Sequence, residues 1–503
     1  MAGAAEEAAT DVALTGRIDG IPSEVWHDEV LAPQFAYEAS QLLPWYVAIE
    51  KVLLLEYQRM GLASEAQVRA VARRLHEVTA ELVRADPREN MSDIAFAIER
   101  QVCAASPPPF PAWHVDRSRN DLQATAQALA GRERLLSAVA ALLRLGRAAG
   151  ALASRYLDTP MPGYTHLQAA QVISPGFYLS ALGAETLRTL RRLTVSYAEV
   201  DRCPLGAGAM AGQELAWDRD RMAALLGFAG PARHALVAVA SRGWALSAAG
   251  DLSGYGVALS RFATDLMAWG SSGYGFIDLP DALSGISSAM PQKKNFPILE
   301  RIRGRSAHLT GLGNDLAIAQ RATPYSNMVE VSKESSAHLA TLFDTLLSTL
   351  RLFTTVLEHL EFRTDRMREA CERDYLGGFT LANLLTLRAG IPWRTAQVLA
   401  GRYIVAAMER GLLPGQPDGD LLGTLTTAAG HPVDQPGQLL DEAFQLDGAL
   451  RAKCSAGSTH PDSVRELLVA QEAEYQEFEQ WHGSRRATID DALTSIDADL
   501  SLR

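Results

Sequence analysis

Residues 135–156 read LLSAVAALLRLGRAAGALASRY, and their apolar side chains recur at steps of three and four residues. That spacing places one apolar stripe along one face of an α-helix. Residues 339–360 repeat the pattern. The two stripes are Leu135, Val139, Leu142, Gly146, Ala149, Leu152 and Tyr156, and then Leu339, Phe343, Leu346, Leu350, Phe353, Leu357 and Leu360. Both stretches exceed an average helix in length, so the sequence predicts an all-α fold around a long helical bundle.

The chain is too long for one hydrophobic core. It has 503 residues, and the alternation typical of β-strands is scarce along it. Breaks rich in proline and glycine separate the helical patterns. We therefore expect three helical domains: an amino-terminal domain at 1–115, a central bundle at 116–365 and a carboxy-terminal domain at 366–503.

Composition excludes several classes of protein. Hydrophobic residues make up 48% and charged residues 21%, as in soluble globular proteins. The net charge of −12, without a basic run, argues against nucleic acid or an acidic membrane surface as a partner. The four cysteines are scattered and predict neither a zinc site nor a disulfide framework. The sequence contains no run of 18 apolar residues, so it predicts no membrane span. The acidic start, MAGAAEEAATDVALTG, lacks the features of a secretion signal. We therefore expect a cytoplasmic protein.

Three polar stretches do not fit a bundle core. The first is WHVDRSRNDLQAT, residues 113–125, which contains His114, Ser118, Arg119 and Asn120. One interpretation is a helix N-terminus capped by Ser118 or Asp121, with solvated arginines. The other is an anion pocket, because arginine forks match carboxylates and an amide can orient one.

The second stretch is MPGYTHLQAAQ, residues 161–171. A turn at Pro162 and Gly163 is followed by Thr165, His166 and Gln168, where we expect a helix to begin. A lone histidine is more often structural. Together with the neighbouring amides, however, these residues also fit a pocket wall that donates hydrogen bonds.

The third stretch is SSAMPQKKN, residues 287–295. It combines two serines, Met290, two lysines and an amide, and a predicted helix begins directly after it. It fits either an exposed, solvated turn or a loop that closes over an anionic substrate, because helix N-termini attract anions. The glycine-rich LGAGAMAG, residues 205–212, does not follow a predicted strand and lacks the spacing of a dinucleotide site.

Read together, RSRND, PGYTHLQ and SSAMPQKKN resemble the three signature regions of the argininosuccinate lyase family, within the fumarase/aspartase superfamily, in both order and spacing. SDIAFAIERQV, PLGAGAMAG and GFIDLPDALSG are also similar to segments of that family. The resemblance implies a nearly all-helical, three-domain protein whose central helices form a twenty-helix bundle in a homotetramer. It implies active sites that combine regions from three subunits, anti elimination of fumarate from an N-substituted succinate, and no metal or organic cofactor.

The resemblance also implies a role for individual residues. Ser287 corresponds to the general base, Lys293 and Asn295 to carboxylate-binding positions, and Thr165 and His166 to positions near the leaving nitrogen. Glu300 would orient His166. Arg119 and Asn120 correspond to positions that hold the succinyl part, and Tyr325 and Lys333 to positions of later substrate contacts. The other corresponding positions around the substrate are Ser118, His114, Gln168, Ser288, Met290 and Glu330.

The chain departs from the family pattern near the leaving amine. The departures are Leu122 for Gln, His234-Ala235 for Asn-Ser, Ser241 and Gly243 for the Asp residues that flank an arginine, Ile286 for Gly, Phe296-Pro297 for Pro-Asp, and Glu330 for Gln. Glu330 would repel the free carboxylate of the arginine part of argininosuccinate and favour an amine that carries extra positive charge.

Three hypotheses follow. The leading one is a carbon–nitrogen lyase with a non-arginine leaving group, such as a diamine of the ethylenediamine-disuccinate type. The second is an argininosuccinate lyase of arginine biosynthesis. The third, from another class, is an inactive structural or storage homologue, against which the retained Ser287, Lys293, Asn295 and His166 argue. The amine, the physiological direction and the general acid stay open.

Overall fold

The computed structural model describes residues 17–18, 20–104 and 109–502. The acidic segment 1–16, which carries the expectation about secretion, lies outside the described residues. The first helices are α1 (Glu24–Trp26), α2 (Ala32–Gln41), α3 (Leu43–Arg59), α4 (Glu65–His76) and α5 (Ile94–Cys103), with a π-helical turn at His27–Leu31. They precede the long helices that dominate the fold.

The central helices confirm the prediction of an elongated all-α bundle. They are α6 (Arg119–Arg155), α7 (Pro175–Val200), α8 (Arg219–Leu225), α9 (Ala235–Ala240), α10 (Gly243–Trp269), α11 (Pro297–Gln320) and α12 (Ser335–His359), with a 3-10 turn at Asp281–Leu283 and a π-helical turn at Glu330–Glu334. Helix α6 packs against α7 and α12, and α11 packs against α10 and α12. The two apolar stripes run along α6 and α12 and end at the residue that follows each helix, and most of their side chains are fully buried.

The last helices are α13 (Thr364–Arg373), α14 (Gly378–Ala389), α15 (Trp393–Glu409), α16 (Gly419–Ala428), α17 (Pro436–Phe444), α18 (Leu446–Ala449) and α19 (Pro461–Asp499). Helices α14 to α17 share a hydrophobic core of their own, whereas α19 returns to pack on α6 and α7. At that contact a Cβ on Gly146 would lie 2.3 Å from the Tyr475 ring, so the glycine makes room for the aromatic side chain. The division at 115 and 365 stays a prediction.

Strands are short in the described part of the chain, and each pairs with one antiparallel partner. They are β1 (Met161–Thr165) with β2 (Gln168–Ile173), β3 (Ile277–Asp278) with β6 (Glu361–Phe362), and β4 (Gly285–Ile286) with β5 (Lys294–Asn295). Two of these pairs shape the regions that the sequence marks as functional.

Two helical segments, Arg119–Arg155 and Glu330–His359, are long and apolar enough to cross a membrane by length and composition. Within the fold, 61% and 50% of their most apolar windows are buried. The core helices of soluble proteins have the same properties, so this is weak evidence for a membrane span.

Candidate active site

The first region begins helix α6. Ser118 is the N-cap, and its hydroxyl accepts the backbone N–H of Asn120 at 3.2 Å, so the predicted cap is confirmed. Arg119 donates to Asp93 at 2.6 Å and lies 5.0 Å from the Phe96 ring centroid. Its side chain stays 59% exposed, so the guanidinium is anchored at one edge and open at the other.

Asn120 and Asp121 bind the glycine-rich segment that follows α7. Asn120 donates to the carbonyl of Ala209 at 3.1 Å, and buried Asp121 accepts the N–H groups of Gly206 and Gly208, both at 3.0 Å. Burial is the main cause that raises the pKa of Asp121 to about 6. Both glycines have positive φ, so this segment is a shaped lining of the first region, a role that sequence reasoning missed.

Asp116 is a second anchor that sequence reasoning missed. Its carboxylate accepts the N–H groups of Glu214 at 3.0 Å and Leu215 at 2.8 Å, and the indole N–H of Trp217 at 2.9 Å. These hydrogen bonds outweigh burial and lower the pKa of Asp116. The carboxylate therefore fixes the residues that directly follow the glycine-rich segment.

We expect Asp116→Ala to lower the free energy of unfolding by about 2 to 4 kcal/mol, because three donors lose their acceptor and alanine is strained at φ 57°. Asp116→Asn tolerates that φ and keeps one acceptor oxygen, so its loss should be smaller. The contribution should be complete above the ordinary pKa of 3.8 and fade as pH falls below it, because the folded pKa is depressed. Urea unfolding at fixed protein concentration measures the free energy of unfolding of each variant. Exposed Asp220→Ala is the control, and equal stability of the two alanine variants would contradict the prediction.

His114 belongs to the first region and precedes helix α6. Its backbone has φ 79°, and its ring is 4.1 Å from the Trp113 ring, next to the buried ion pair of Arg117 with Glu50. Burial, and then the Arg117 charge, lower the pKa of His114 to about 4, so the imidazole is neutral at physiological pH.

The second region is a β-hairpin, so the prediction that a helix begins here is wrong. Thr165 ends β1, Gln168 begins β2, and the two residues between them, His166 and Leu167, have φ values of 55° and 61°. Positive φ at both turn positions matches the twist of paired strands and cannot continue a helix. Helix α7 begins only after Ser174, whose hydroxyl caps it. Thr165, His166 and Gln168 are all exposed at the tip.

The third region is a loop closed by β4 and β5. Within it the Ser287 hydroxyl oxygen accepts the N–H of Met290 at 3.0 Å and of Ala289 at 3.4 Å. Ser288 and Met290 are exposed. The loop therefore presents Ser287 with two backbone donors directed at its oxygen.

The two lysines of this loop differ. Lys294 pairs with Asp278 at 3.1 Å and Asp281 at 3.2 Å, and these partners raise the pKa of Lys294 against the opposing effect of desolvation. Lys293 is exposed and forms no ion pair with any described residue. Asn295 ends β5, two residues before α11 begins. Only one of the two ammonium groups is thus available to a ligand.

Three further candidates lie beyond this loop. Glu300 is exposed in the first turn of α11, and Tyr325 is 61% exposed. Glu330 is exposed at the start of its π-helical turn. Lys333, in the same turn, pairs with buried Glu38. Burial raises the pKa of Glu38, and the Lys333 charge opposes that effect.

Each region lies at the N-terminal end of a long helix or directly before it: α6, α7 and α11. Backbone N–H groups and the helix dipole favour an anion at such ends. Among the described residues of one chain, no hydrogen bond or ion pair joins Arg119, His166 and Ser287 to one another. A single chain therefore does not connect the three regions into one bonded cluster.

Comparison with known proteins places this geometry in a family. The family described as lyase matches residues 56–311. The argininosuccinate lyase of Methylococcus capsulatus is 33% identical over 415 residues, 82% of this chain and 87% of that protein. That of Thermus thermophilus is 33% identical over 419 residues, 81% and 87% of the two chains.

Solved structures share the fold. EDDS lyase in complex with formate has a TM-score of 0.84 at 24% identity and covers 97% of each chain. The class II fumarase of Schistosoma mansoni has a TM-score of 0.68 at 16% identity, with coverage of 83% of this chain and 94% of that one. The chain therefore belongs to the argininosuccinate lyase family of the fumarase/aspartase superfamily, and it is a carbon–nitrogen lyase.

Proposed function

We propose that the protein eliminates fumarate from an N-substituted aspartate and releases an amine other than arginine. The observation that carries the elimination is the loop in which Ser287 receives two backbone N–H groups, together with the Lys293 ammonium of the same loop, which pairs with no carboxylate among the described residues. A proton on carbon next to a carboxylate is very weakly acidic, so stabilising the carbanion is the main catalytic task.

In the proposed reaction Ser287, as an alkoxide, removes the proton from the carbon next to the carboxylate. The electron pair moves into that carboxylate, where Lys293 and Asn295 hold the added negative charge. It then returns to form the carbon–carbon double bond as the carbon–nitrogen bond breaks. The departing nitrogen takes a proton on the side of Thr165 and His166. The alkoxide needs positive charge, amide donors and excluded water, which loop closure would supply. The proposed step requires no metal or organic cofactor. We also propose that the enzyme is located in the cytoplasm.

We further propose that the active site forms between chains of a homotetramer. The exposed hairpin tip with His166, the Ser287 loop and Arg119 make no mutual hydrogen bonds in one described chain, and each needs a partner to act on a shared substrate. Glu300, exposed at the start of α11, would orient His166 from another subunit.

The charges near Glu330 support a cationic leaving amine. Glu330 is exposed and makes no ion pair with a described residue, whereas the Lys333 charge is balanced by Glu38. The local balance is therefore negative and favours an amine with extra positive charge, such as a diamine. The second candidate is argininosuccinate lyase activity, favoured by relatives that carry this name over more than four fifths of the chain.

The proposal is tested by measuring fumarate release through its ultraviolet absorbance. We expect kcat/KM for ethylenediamine-N,N′-disuccinate to exceed that for argininosuccinate by at least about tenfold, the equivalent of about 1.4 kcal/mol. Glu330→Gln should shift the ratio toward argininosuccinate, whereas Glu334→Gln, exposed in the same turn, should not. Faster release from argininosuccinate by the unaltered protein would favour the second candidate. No release from any N-substituted aspartate would contradict both.

A further inference from the structure

Two buried glutamines lie on one face of α6, a helix whose other buried residues are mostly apolar. They are Gln123 and Gln127, with 6% and 7% of each residue exposed, and their spacing of four residues makes them neighbours along the helix. Both amides donate to the same backbone carbonyl, that of Ser332, from Gln127 Nε2 at 2.6 Å and from Gln123 Nε2 at 3.4 Å. A carbonyl oxygen has two lone pairs and can accept both. Helix α6 therefore holds Ser332 through its backbone.

The orientation of the Gln127 amide is fixed by a second partner. Its oxygen, Oε1, accepts a hydrogen bond from Nε of buried Arg242 at 2.7 Å. A guanidinium can only donate and a backbone carbonyl can only accept, so the amide satisfies both neighbours in one orientation and neither in the flipped one. Arg242 is itself held in place, because a terminal nitrogen donates to the carbonyls of Val239 at 3.1 Å and Ser241 at 2.9 Å.

The Gln127 amide thereby joins two segments that are distant in sequence. One is the segment 241–243, where α10 begins, and the other is the π-helical turn Glu330–Glu334. Both segments carry departures from the family pattern on the leaving-amine side: Ser241 and Gly243 in the first, and Glu330 in the second. A single buried side chain thus connects two parts of the chain in which the amine side differs from the family.

The π-helical turn depends on the position of Ser332. The turn is closed by the N–H of Ser335, which donates to the carbonyl of Glu330. Such wide turns are rare and often occur at functional sites. Ser332 is buried, follows Glu330 by two residues and directly precedes Lys333, so anchoring its carbonyl fixes the backbone from which both charged side chains extend. The ion pair of Lys333 with buried Glu38 is a second anchor of the same turn.

We propose that Gln127 is a positioning residue for the leaving-amine side of the active site and helps to determine which amine the enzyme releases. Gln127 is buried and acts through its neighbours: Ser332, in the turn that carries Glu330 and Lys333, and Arg242, at the start of α10. The inference rests on the proposed function, in which Glu330 lies on the side of the leaving amine. It deepens that function, because the two segments then act on the amine as one unit.

Gln127→Glu separates the two hydrogen bonds of the amide. The guanidinium of Arg242 favours the ionised carboxylate, which can still accept Nε but has no hydrogen to donate to the Ser332 carbonyl. We expect little change in urea unfolding, because the buried guanidinium gains a counter-charge while one hydrogen bond is lost. Backbone hydrogen exchange at residues 330–336 should become about three- to tenfold faster, the equivalent of one hydrogen bond.

Substrate selectivity provides the second measurement on the same variant. The ratio of kcat/KM between ethylenediamine-N,N′-disuccinate and argininosuccinate should move toward one by about three- to tenfold, mainly through a higher KM of the better substrate. Which substrate is better in the unaltered protein tests the proposed function, whereas the change on substitution tests Gln127. If the unaltered protein releases fumarate from neither substrate, the proposed function fails, and hydrogen exchange still shows whether Gln127 holds the turn.

Gln471→Met is the matched control. Gln471 is a buried glutamine of α19 whose Nε2 donates to the carbonyl of Ser180 at 2.8 Å. Its substitution should lower stability in urea without changing the selectivity ratio or the exchange at residues 330–336. If Gln127→Glu fails to fold, Gln127→Met, which removes both hydrogen bonds, should change the ratio and the exchange in the same directions.

Three results would overturn the inference. The first is unchanged exchange at residues 330–336 in the Gln127 variant. The second is faster exchange with an unchanged selectivity ratio, which would leave Gln127 a structural role alone. The third is an equal change of the ratio in Gln471→Met, which would show that any loss of a buried hydrogen bond alters selectivity. A change of exchange and ratio confined to the Gln127 variant would support its positioning role.

Discussion

Ser287→Ala is expected to lower kcat for fumarate release by roughly 10²- to 10⁴-fold, the range that a positioned general base contributes. The hydroxyl oxygen of Ser287 accepts two backbone N–H groups, at 3.0 and 3.4 Å, and these donors favour its alkoxide form. Alanine keeps the loop backbone and removes the oxygen that would take the proton. Fumarate absorbance gives kcat, and light scattering on a sizing column should show unchanged assembly.

The neighbouring serine provides a matched comparison for this prediction. Ser288 is exposed in the same loop, and its side chain makes no hydrogen bond with a described residue. Because its proposed role is in substrate binding, Ser288→Ala should raise KM with little change in kcat. A fully active Ser287→Ala, or equal losses of kcat in both variants, would show that the base is another group.

The long helices could be predicted because their cause is local. The stripes in α6 and α12 repeat every three to four residues, and burial of one face is enough to fix such helices. The cap at Ser118 was equally visible, because a serine before a helical pattern supplies an acceptor for the first free N–H groups.

The hairpin at Thr165 could not be predicted in the same way. Its turn requires positive φ at His166 and at Leu167, and leucine gives no sequence signal for that conformation. The proline and glycine before it indicated a turn, but the actual reversal comes three residues after Gly163. Pairing of β1 with β2 stabilises this turn, and strand pairing depends on the surrounding fold more than on local sequence.

Contacts between residues distant in sequence account for the rest. Asp121 binds Gly206 and Gly208, more than 80 residues further along the chain, and no periodicity connects them. The glycines themselves were visible, and a search for a carboxylate that could accept their N–H groups would have been the available signal. Likewise, nothing in the pair Lys293-Lys294 reveals that only the second has acidic partners, because Asp278 becomes its neighbour through the turn before β4.

That difference between the two lysines leads to the second large effect. Lys293→Met should lower kcat by about 10²- to 10³-fold, as expected when a group that stabilises developing negative charge is removed. Lys293 is the lysine of the loop without an acidic partner among the described residues, so its charge is available to the carboxylate that receives the electron pair. Lys293→Arg keeps the charge and should retain part of the rate.

Lys294→Met is the matched control, because it removes an equal charge one residue away. Its ammonium is already balanced by Asp278 and Asp281, and such exposed pairs contribute about 1 kcal/mol or less, so kcat should fall by no more than about fivefold. Asp278 would keep its second partner, Arg363, at 2.6 Å, which holds the base of the loop in place. Equal losses in Lys293→Met and Lys294→Met would show that catalysis depends on the total charge of the loop. A large loss confined to Lys293 would identify that ammonium as the group that holds the charge left by proton removal.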